Sequence, residues 1–220
     1  MKKVCVIPAY NEAQHINEVI SRVRPFVDEI VVVDDHSQDE TATLARQAGA
    51  TVLRHPINRG QGAALQTGND YALQTGADII IHFDADNQFQ AEEIPELVRP
   101  IEAGQAEAVL GSRFMGKESN LPALKRQVIM PLARLINRLF FNIKLTDPQS
   151  GFRVLSRQAT EKIKIKNDGM AHCSEILHQL FSKNIKVVEV PITVVYHEFG
   201  QKFSGGLKII KDMAIKKIIK

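Results

Sequence analysis

Two aspartates two residues apart, Asp84 and Asp86, follow the apolar run Ile79–Phe83, and Gln88 stands two residues further on. On an extended strand end this spacing aims all three side chains to one side. Carboxylates that close repel unless a cation or a shared proton sits between them. A hard divalent ion with oxygen ligands satisfies the pair, with Gln88 as a third oxygen, and bridges naturally to phosphates. A lone Asp-x-Asp is otherwise a common solvated turn, so its meaning depends on where the chain places it. A second acidic group, Asp34-Asp35-His36-Ser37-Gln38-Asp39-Glu40-Thr41, follows the β-branched run Ile30–Val33. Ser37 and Glu40 have capping-box spacing, and acids suit a helix N-terminus, which accounts for Ser37, Asp39 and Glu40. Asp34 and Asp35 are left at a strand end, where a carboxylate is poised over a ligand.

These groups need elements that bring them together. Val4–Ile7, Ile30–Val33, Thr51–Leu53, Ile79–Phe83 and Ala108–Leu110 read as short buried strands. Gln14–Arg24, a stretch from about Asp39, Gly62–Leu73 and Ala91–Ile101 read as the helices between them. Such alternation predicts βαβ units, hence an α/β fold with a mostly parallel central sheet flanked by helices. Ligands on these sheets bind beyond the carboxyl ends of the strands. Pro8-Ala9-Tyr10-Asn11-Glu12, Asp34-Asp35 and Asp84–Gln88 all fall there. After Leu110 the alternation stops. Lys125–Phe141 reads as an amphipathic helix, Lys186–Tyr196 as a late strand and Gly206–Lys220 as a basic tail helix. No repeat or linker divides the chain, so one domain over 1–205 with an appended helix over 206–220 is expected.

Other phosphate-binding designs fit poorly. A dinucleotide fold wants Gly-x-Gly-x-x-Gly after the first strand, and that loop has no glycine. Gly111-Ser-Arg-Phe-Met-Gly116-Lys117 nearly spells a P-loop, but Glu118 stands where a Ser or Thr must hold magnesium.

The chain has 220 residues, 44% of them hydrophobic and 24% charged, which excludes disorder and suffices for a core without staples. No apolar run approaches the roughly 18–20 residues of a membrane span, and Met1-Lys2-Lys3-Val4 does not open a signal peptide. Cys5 and Cys173 form no disulfide framework and no paired metal spacing, so a reducing cytoplasm is expected. The net charge of +3 is unevenly spread, with seven basic residues and one acid over Arg113–Lys144, and six Lys and one Asp over Gln201–Lys220. Both segments interleave the cations with aliphatic rather than aromatic residues, the pattern of interfacial helices on anionic lipid rather than of nucleic-acid binding.

Six strings occur in order: Ile7-Pro-Ala-Tyr-Asn-Glu12, Asp34-Asp-His-Ser-Gln-Asp-Glu-Thr41, Asn58-Arg-Gly-Gln-Gly62, Asp84-Ala85-Asp86, Gly111-Ser-Arg113 and Asp147-Pro-Gln-Ser-Gly-Phe-Arg153. Together they resemble family 2 glycosyltransferases of the GT-A fold, in the branch of dolichol-phosphate mannose synthases and bacterial polyprenyl-phosphate glycosyltransferases. The resemblance runs from the first strand to about Ser204. It implies an inverting, metal-dependent transfer of one sugar from a nucleotide sugar to a polyprenyl phosphate. Pro8, Ala9, Tyr10, Glu12 and Asp35 then belong to the pocket for base and ribose, joined by Asp84, Ala85 and Asp86. Asp84, Asp86 and Gln88 hold Mg2+ or Mn2+, and Asp147 is the active-site acid, acting with Asp86. Arg113, Arg126 and Lys202 face the acceptor phosphate. Two positions depart from that branch: Met130 stands where a Ser follows Arg126, and His197 replaces an Arg ahead of Lys202. Glu175 matches an acidic position on the helix after the site, and His172 and His178 are read as surface or core-edge residues. Peripheral membrane contact is expected, with a separate membrane subunit and homo-oligomers as further possible partners. A hydroxyl acceptor is the alternative within the class. A nucleotidyltransferase would carry a Gly-rich basic loop where Pro8–Glu12 stands.

Overall fold

The computed structural model describes residues 1–116 and 145–195. The strands are β1 (Lys3–Ala9), β2 (Glu29–Asp34), β3 (Thr51–Arg54), β4 (Ile79–His82), β5 (Ala108–Ser112), β6 (Arg153–Ser156) and β7 (Val187–Pro191). They make one sheet in the order β3-β2-β1-β4-β6-β5-β7. The helices are α1 (Ile16–Val23), α2 (Thr41–Gln47), α3 (Gln61–Gln74), α4 (Ile94–Glu102), α5 (Arg157–Lys162) and α6 (His172–Ser182). A short 3-10 turn over Ala91–Glu93 precedes α4, in the stretch read as one helix from Ala91.

β1, β2, β4 and β5 are largely apolar because helices cover both faces of the sheet. One face packs Ile7, Val32, Ile81 and Val109 against Ile20 of α1 and Leu97 of α4. The other packs Val6, Val33, Ile80 and Leu155 beneath Leu65 of α3 and Ile176 and Leu177 of α6. α3 approaches the sheet so closely at Gly68 that any Cβ would run into the methyls of Val6.

β1, β2, β3 and β4 pair in parallel, as do β5 and β7. β6, which the sequence pattern does not reveal, runs antiparallel between β4 and β5. Its four residues include a buried arginine and carry no ten-residue apolar period. The late strand is shorter than its apolar run, although Val194 still bridges to Phe89. Among the described residues no helix is long and apolar enough to cross a membrane. The expected helices over 125–141 and 206–220, with Arg126, Met130, His197 and Lys202, lie outside the described residues.

Candidate active site

The carboxyl ends of β1, β2 and β4 form one edge, and each is followed by a residue in the left-handed region: Asn11 (φ 57°), His36 (φ 66°) and Asn87 (φ 57°). Asn and His tolerate this conformation better than most side chains, and it turns the chain sharply at each strand end. Asn11 stitches two of the ends together. Its N–H donates to Ser37 Oγ at 2.9 Å, and its Oδ1 accepts from Gln38 N at 2.8 Å. Glu12 N donates to Thr41 Oγ1 at 2.8 Å. The expected capping box is therefore absent. Ser37 is committed to the β1 end, and Asp39 Oδ1 accepts from Thr41 N at 3.0 Å where α2 begins. Pro8 and Ala9 are buried in this edge, and Tyr10 is 47% exposed on its rim.

Asp34 is fully buried and ion-paired to Arg54 at 3.0 Å. Asp35, expected to line the base and ribose pocket, is also buried, with its carboxylate on protein donors. Arg59 N donates to its Oδ1 at 2.9 Å, Gly60 N donates to its Oδ2 at 2.6 Å, and His55 Nδ1 lies 2.7 Å from Oδ1. His55 Nε2 in turn meets Thr67 Oγ1 of α3 at 2.9 Å. Asp35 thus orders the Asn58–Gly60 loop.

Asp84 and Asp86 are brought together by a turn rather than by an extended strand end. β4 stops at His82, residues 85–87 turn, and Asn87 breaks the alternation before Gln88. Gln88 joins the turn through its backbone, donating N–H to Asp86 Oδ1 at 3.1 Å. Burial pushes the Asp84 carboxyl above its ordinary range, and Asp86 pushes it further. Glu12 is raised in the same way, by burial first and then by Asp86. Gln61 Nε2, at the start of α3, donates to Asp84 Oδ1 at 2.9 Å and fixes its rotation. Phe83, Phe89 and Phe152 pack as an apolar floor, with ring centroids 5.1–5.6 Å apart. Among the described residues no three His, Cys, Asp or Glu side chains form a ready-made metal cage. The donor set is two hard, mutually repelling carboxylates, which fits a divalent ion that takes its remaining oxygens from a diphosphate and water.

Asp147 and Arg113 hold each other. Arg113 Nε and a terminal guanidinium nitrogen donate to Asp147 Oδ2 and Oδ1, both at 2.6 Å, and Arg113 N donates to Oδ2 at 3.1 Å. The Asp147 side chain is fully buried. Four residues on, Gly151 passes so close to Asp84 that an added Cβ would stand 2.5 Å from Oδ2. The Asp147 loop and the Asp84 carboxylate therefore share one wall.

Three residues around the site escape a reading by motif. Glu189 of β7 accepts from the backbone of Thr146 and Asp147. Arg153 is almost wholly buried, and its charge lies beside the Cys173 thiol. His172 is not a surface or core-edge residue: it is 1% exposed, with Nδ1 2.9 Å from Gly169 O and Nε2 3.4 Å from Cys173 Sγ. Burial raises the Cys173 thiol, but the Arg153 and His172 charges outweigh it and bring it down to about 6. His178 is exposed, and Glu175 accepts from Lys166 N and Asn167 N. The signal in the sequence is the glutamate inside Val187-Val-Glu-Val, an acid within an apolar run.

Residues 4–164 match the glycosyl transferase family 2 profile. The polyprenol monophosphomannose synthase of Mycolicibacterium smegmatis is 31% identical over 225 residues, covering 96% of this chain and 84% of that protein. The UDP-N-acetylglucosamine–dolichyl-phosphate N-acetylglucosaminyltransferase of Methanococcus voltae is 30% identical over 97% of this chain and 95% of its own. Glucosyl-3-phosphoglycerate synthase from Mycobacterium tuberculosis, solved with Mn2+, UDP-glucose and phosphoglyceric acid, superposes with a TM-score of 0.75 over 95% of this chain and 77% of that one. Its sequence identity is 22%, so this likeness speaks for the GT-A fold alone. With the family profile covering most of the chain, carboxylates gathered at the strand ends and a matching fold, the protein belongs to glycosyl transferase family 2 and is a glycosyltransferase.

Proposed function

We propose that the chain transfers one sugar, with inversion, from a nucleoside-diphosphate sugar of the GDP-mannose or UDP-glucose type to a polyprenyl phosphate. The observation that carries the reading is the Asp84–Asp86 pair, two carboxylates crowded together at the ligand-binding edge of the sheet. They would hold Mg2+ or Mn2+, with Gln88 and Ala85 shaping the turn. When bound, such an ion neutralises the charge that grows on the departing diphosphate. Gln61 keeps Asp84 in one orientation, and Pro8, Ala9, Tyr10, Glu12 and the loop ordered by Asp35 line the nucleoside side.

The Arg113–Asp147 pair supports a phosphate acceptor. A hydroxyl acceptor needs a base to take its proton, and a carboxylate gripped at both oxygens by a guanidinium is an orienting group. A phosphate acceptor brings its own anionic oxygen, since its second pKa lies near 6, and a guanidinium is suited to meet it. Arg113 can exchange one anion, Asp147, for another, and Arg126 and Lys202 are the proposed further phosphate contacts. The names of the relatives that act on polyprenyl and dolichyl phosphates support this acceptor. The reading places the protein at the cytoplasmic membrane surface, through the basic segments over 125–141 and 207–220.

Calorimetry with UDP-, GDP- and dTDP-sugars in Mn2+ tests the donor side. One nucleotide should bind only with metal, and Asp86→Ala should weaken it by about 10–100-fold, the scale of disturbed metal sites. Transfer to undecaprenyl phosphate, compared with a glycan hydroxyl, tests the acceptor. Sugar delivered only to the hydroxyl would replace the polyprenyl-phosphate reading.

A further inference from the structure

We propose that Glu189 is a positioning residue for the transfer, holding Asp147 and its loop against the sheet; the inference rests on the reading of Asp147 as the acceptor-side acid. Glu189 lies on β7 opposite Leu110 of β5, one residue before the parallel pair Val190–Gly111. Its Oε1 accepts from Thr146 N at 3.0 Å, Thr146 Oγ1 at 2.9 Å and Asp147 N at 3.0 Å, and its Oε2 accepts from Thr146 N at 2.9 Å. Thr146 Oγ1 also meets Ser112 Oγ at 2.5 Å, and Ser112 Oγ accepts from Phe114 N at 3.2 Å. The chain after β5 and the chain entering the Asp147 loop are thus tied at one point. Leu145 adds an apolar anchor, packing in the same core cluster as Val187.

This arrangement needs a carboxylate. Three donors converge on the group, two backbone N–H and one hydroxyl, and a carboxylate offers only acceptors. A carboxamide keeps one acceptor oxygen and turns its NH2 toward one of the donors. Glu189 touches neither a reacting atom nor Asp147's side chain. It acts by fixing the backbone from which Asp147 reaches Arg113. A displacement of about 1 Å at such a position costs on the order of 100-fold in rate.

The test compares wild type, Glu189→Gln, Glu189→Ala and Glu107→Gln. Glu107 also accepts a backbone N–H, from Lys186, but precedes β5 at the opposite end of the β5–β7 pair, so it is the structural control. Each protein is assayed for donor hydrolysis and for transfer to undecaprenyl phosphate, for donor affinity by calorimetry, and for hydrogen exchange over residues 145–152. Glu189→Ala should lower kcat about 100-fold with donor affinity within about twofold of wild type, and Glu189→Gln should fall between. Exchange over 145–152 should accelerate in the Glu189 variants and not in Glu107→Gln. Donor affinity falling in step with kcat, a kcat loss equalled by Glu107→Gln, or a Glu189→Ala enzyme of wild-type kcat would overturn the proposal. Failure of wild type to use undecaprenyl phosphate, with donor hydrolysis intact, would count against the acceptor reading alone. Were no turnover seen at all, unchanged exchange in Glu189→Ala would still overturn the positioning role.

Discussion

Asp84 is held in a state that it resists. Burial and Asp86 keep its carboxyl protonated to a higher pH in the fold than its ordinary 3.8. Between those values the native state binds the extra proton, so this group's contribution to stability falls as pH rises. Glu12 acts in the same sense, whereas Glu29 and Asp39, held low by hydrogen bonds, act in the opposite one. The comparison with Asp84→Asn isolates the term. Metal-free protein should lose melting temperature relative to that variant as pH rises above about 4. Excess Mn2+ should restore it, by about 2.7 kcal/mol at a hundredfold excess over Kd, and by less at low pH where protons compete. A Mn2+-induced shift that is equal in Asp84→Asn would remove Asp84 from the metal site. At this scale the charged ends of strands were legible, because each group of acids directly follows an apolar run and strand ends carry the ligands on such sheets. The role of Glu189 was not, since its partners Thr146 and Asp147 lie more than 40 residues away along the chain, and neither was the burial of Arg153 and His172, which depends on elements packed around them from elsewhere in the chain.

Elements were read well wherever one strand and one helix alternate. The runs that became β1 to β5 and α1 to α4 stand out because a strand covered on both faces is apolar throughout and the helices show their own period. β6 and α5 were missed for a physical reason. Arg153–Ser156 slips between two strands already in place, so its neighbours supply the apolar contacts that its own short sequence does not advertise. The packing of α3 on β1 is equally invisible in a pattern, since Gly68 reads as a flaw in a helix until Val6 is seen against it. Gly68→Ala should raise helix propensity and yet destabilise, because the methyl overpacks a closed contact. A net loss of about 1–3 kcal/mol in denaturant unfolding is expected, and a gain would mean that α3 can move off the sheet.

Across the whole molecule, the two halves of the site come from different parts of the sheet. β1, β2 and β4 supply the edge proposed to take the nucleotide, whereas β5, β6 and β7 supply Arg113, the Asp147 loop and Glu189. The contact of Gly151 with Asp84 is where they meet. Exchanging residues 117–144 for those of a family member with a different acceptor should therefore change acceptor choice while donor affinity stays within about twofold, since the Asp84 turn and, among the described residues, its contacts with Gln61 and Gly151 lie outside that stretch. Donor binding measured by calorimetry and transfer measured on both acceptors would check this, and a lost donor site would show that the halves are not separable.

The tie between Ser112 and Thr146, backed by the Arg113–Asp147 pair, has a consequence for how such a chain can change. It closes the base of the excursion between β5 and the Asp147 loop, so whatever is inserted there begins and ends at nearly the same point. Closing a longer loop costs only about 0.6 kcal/mol for each doubling of its length. A change of length in that stretch therefore leaves its two tied ends where they are, much as a socket accepts tools of different reach.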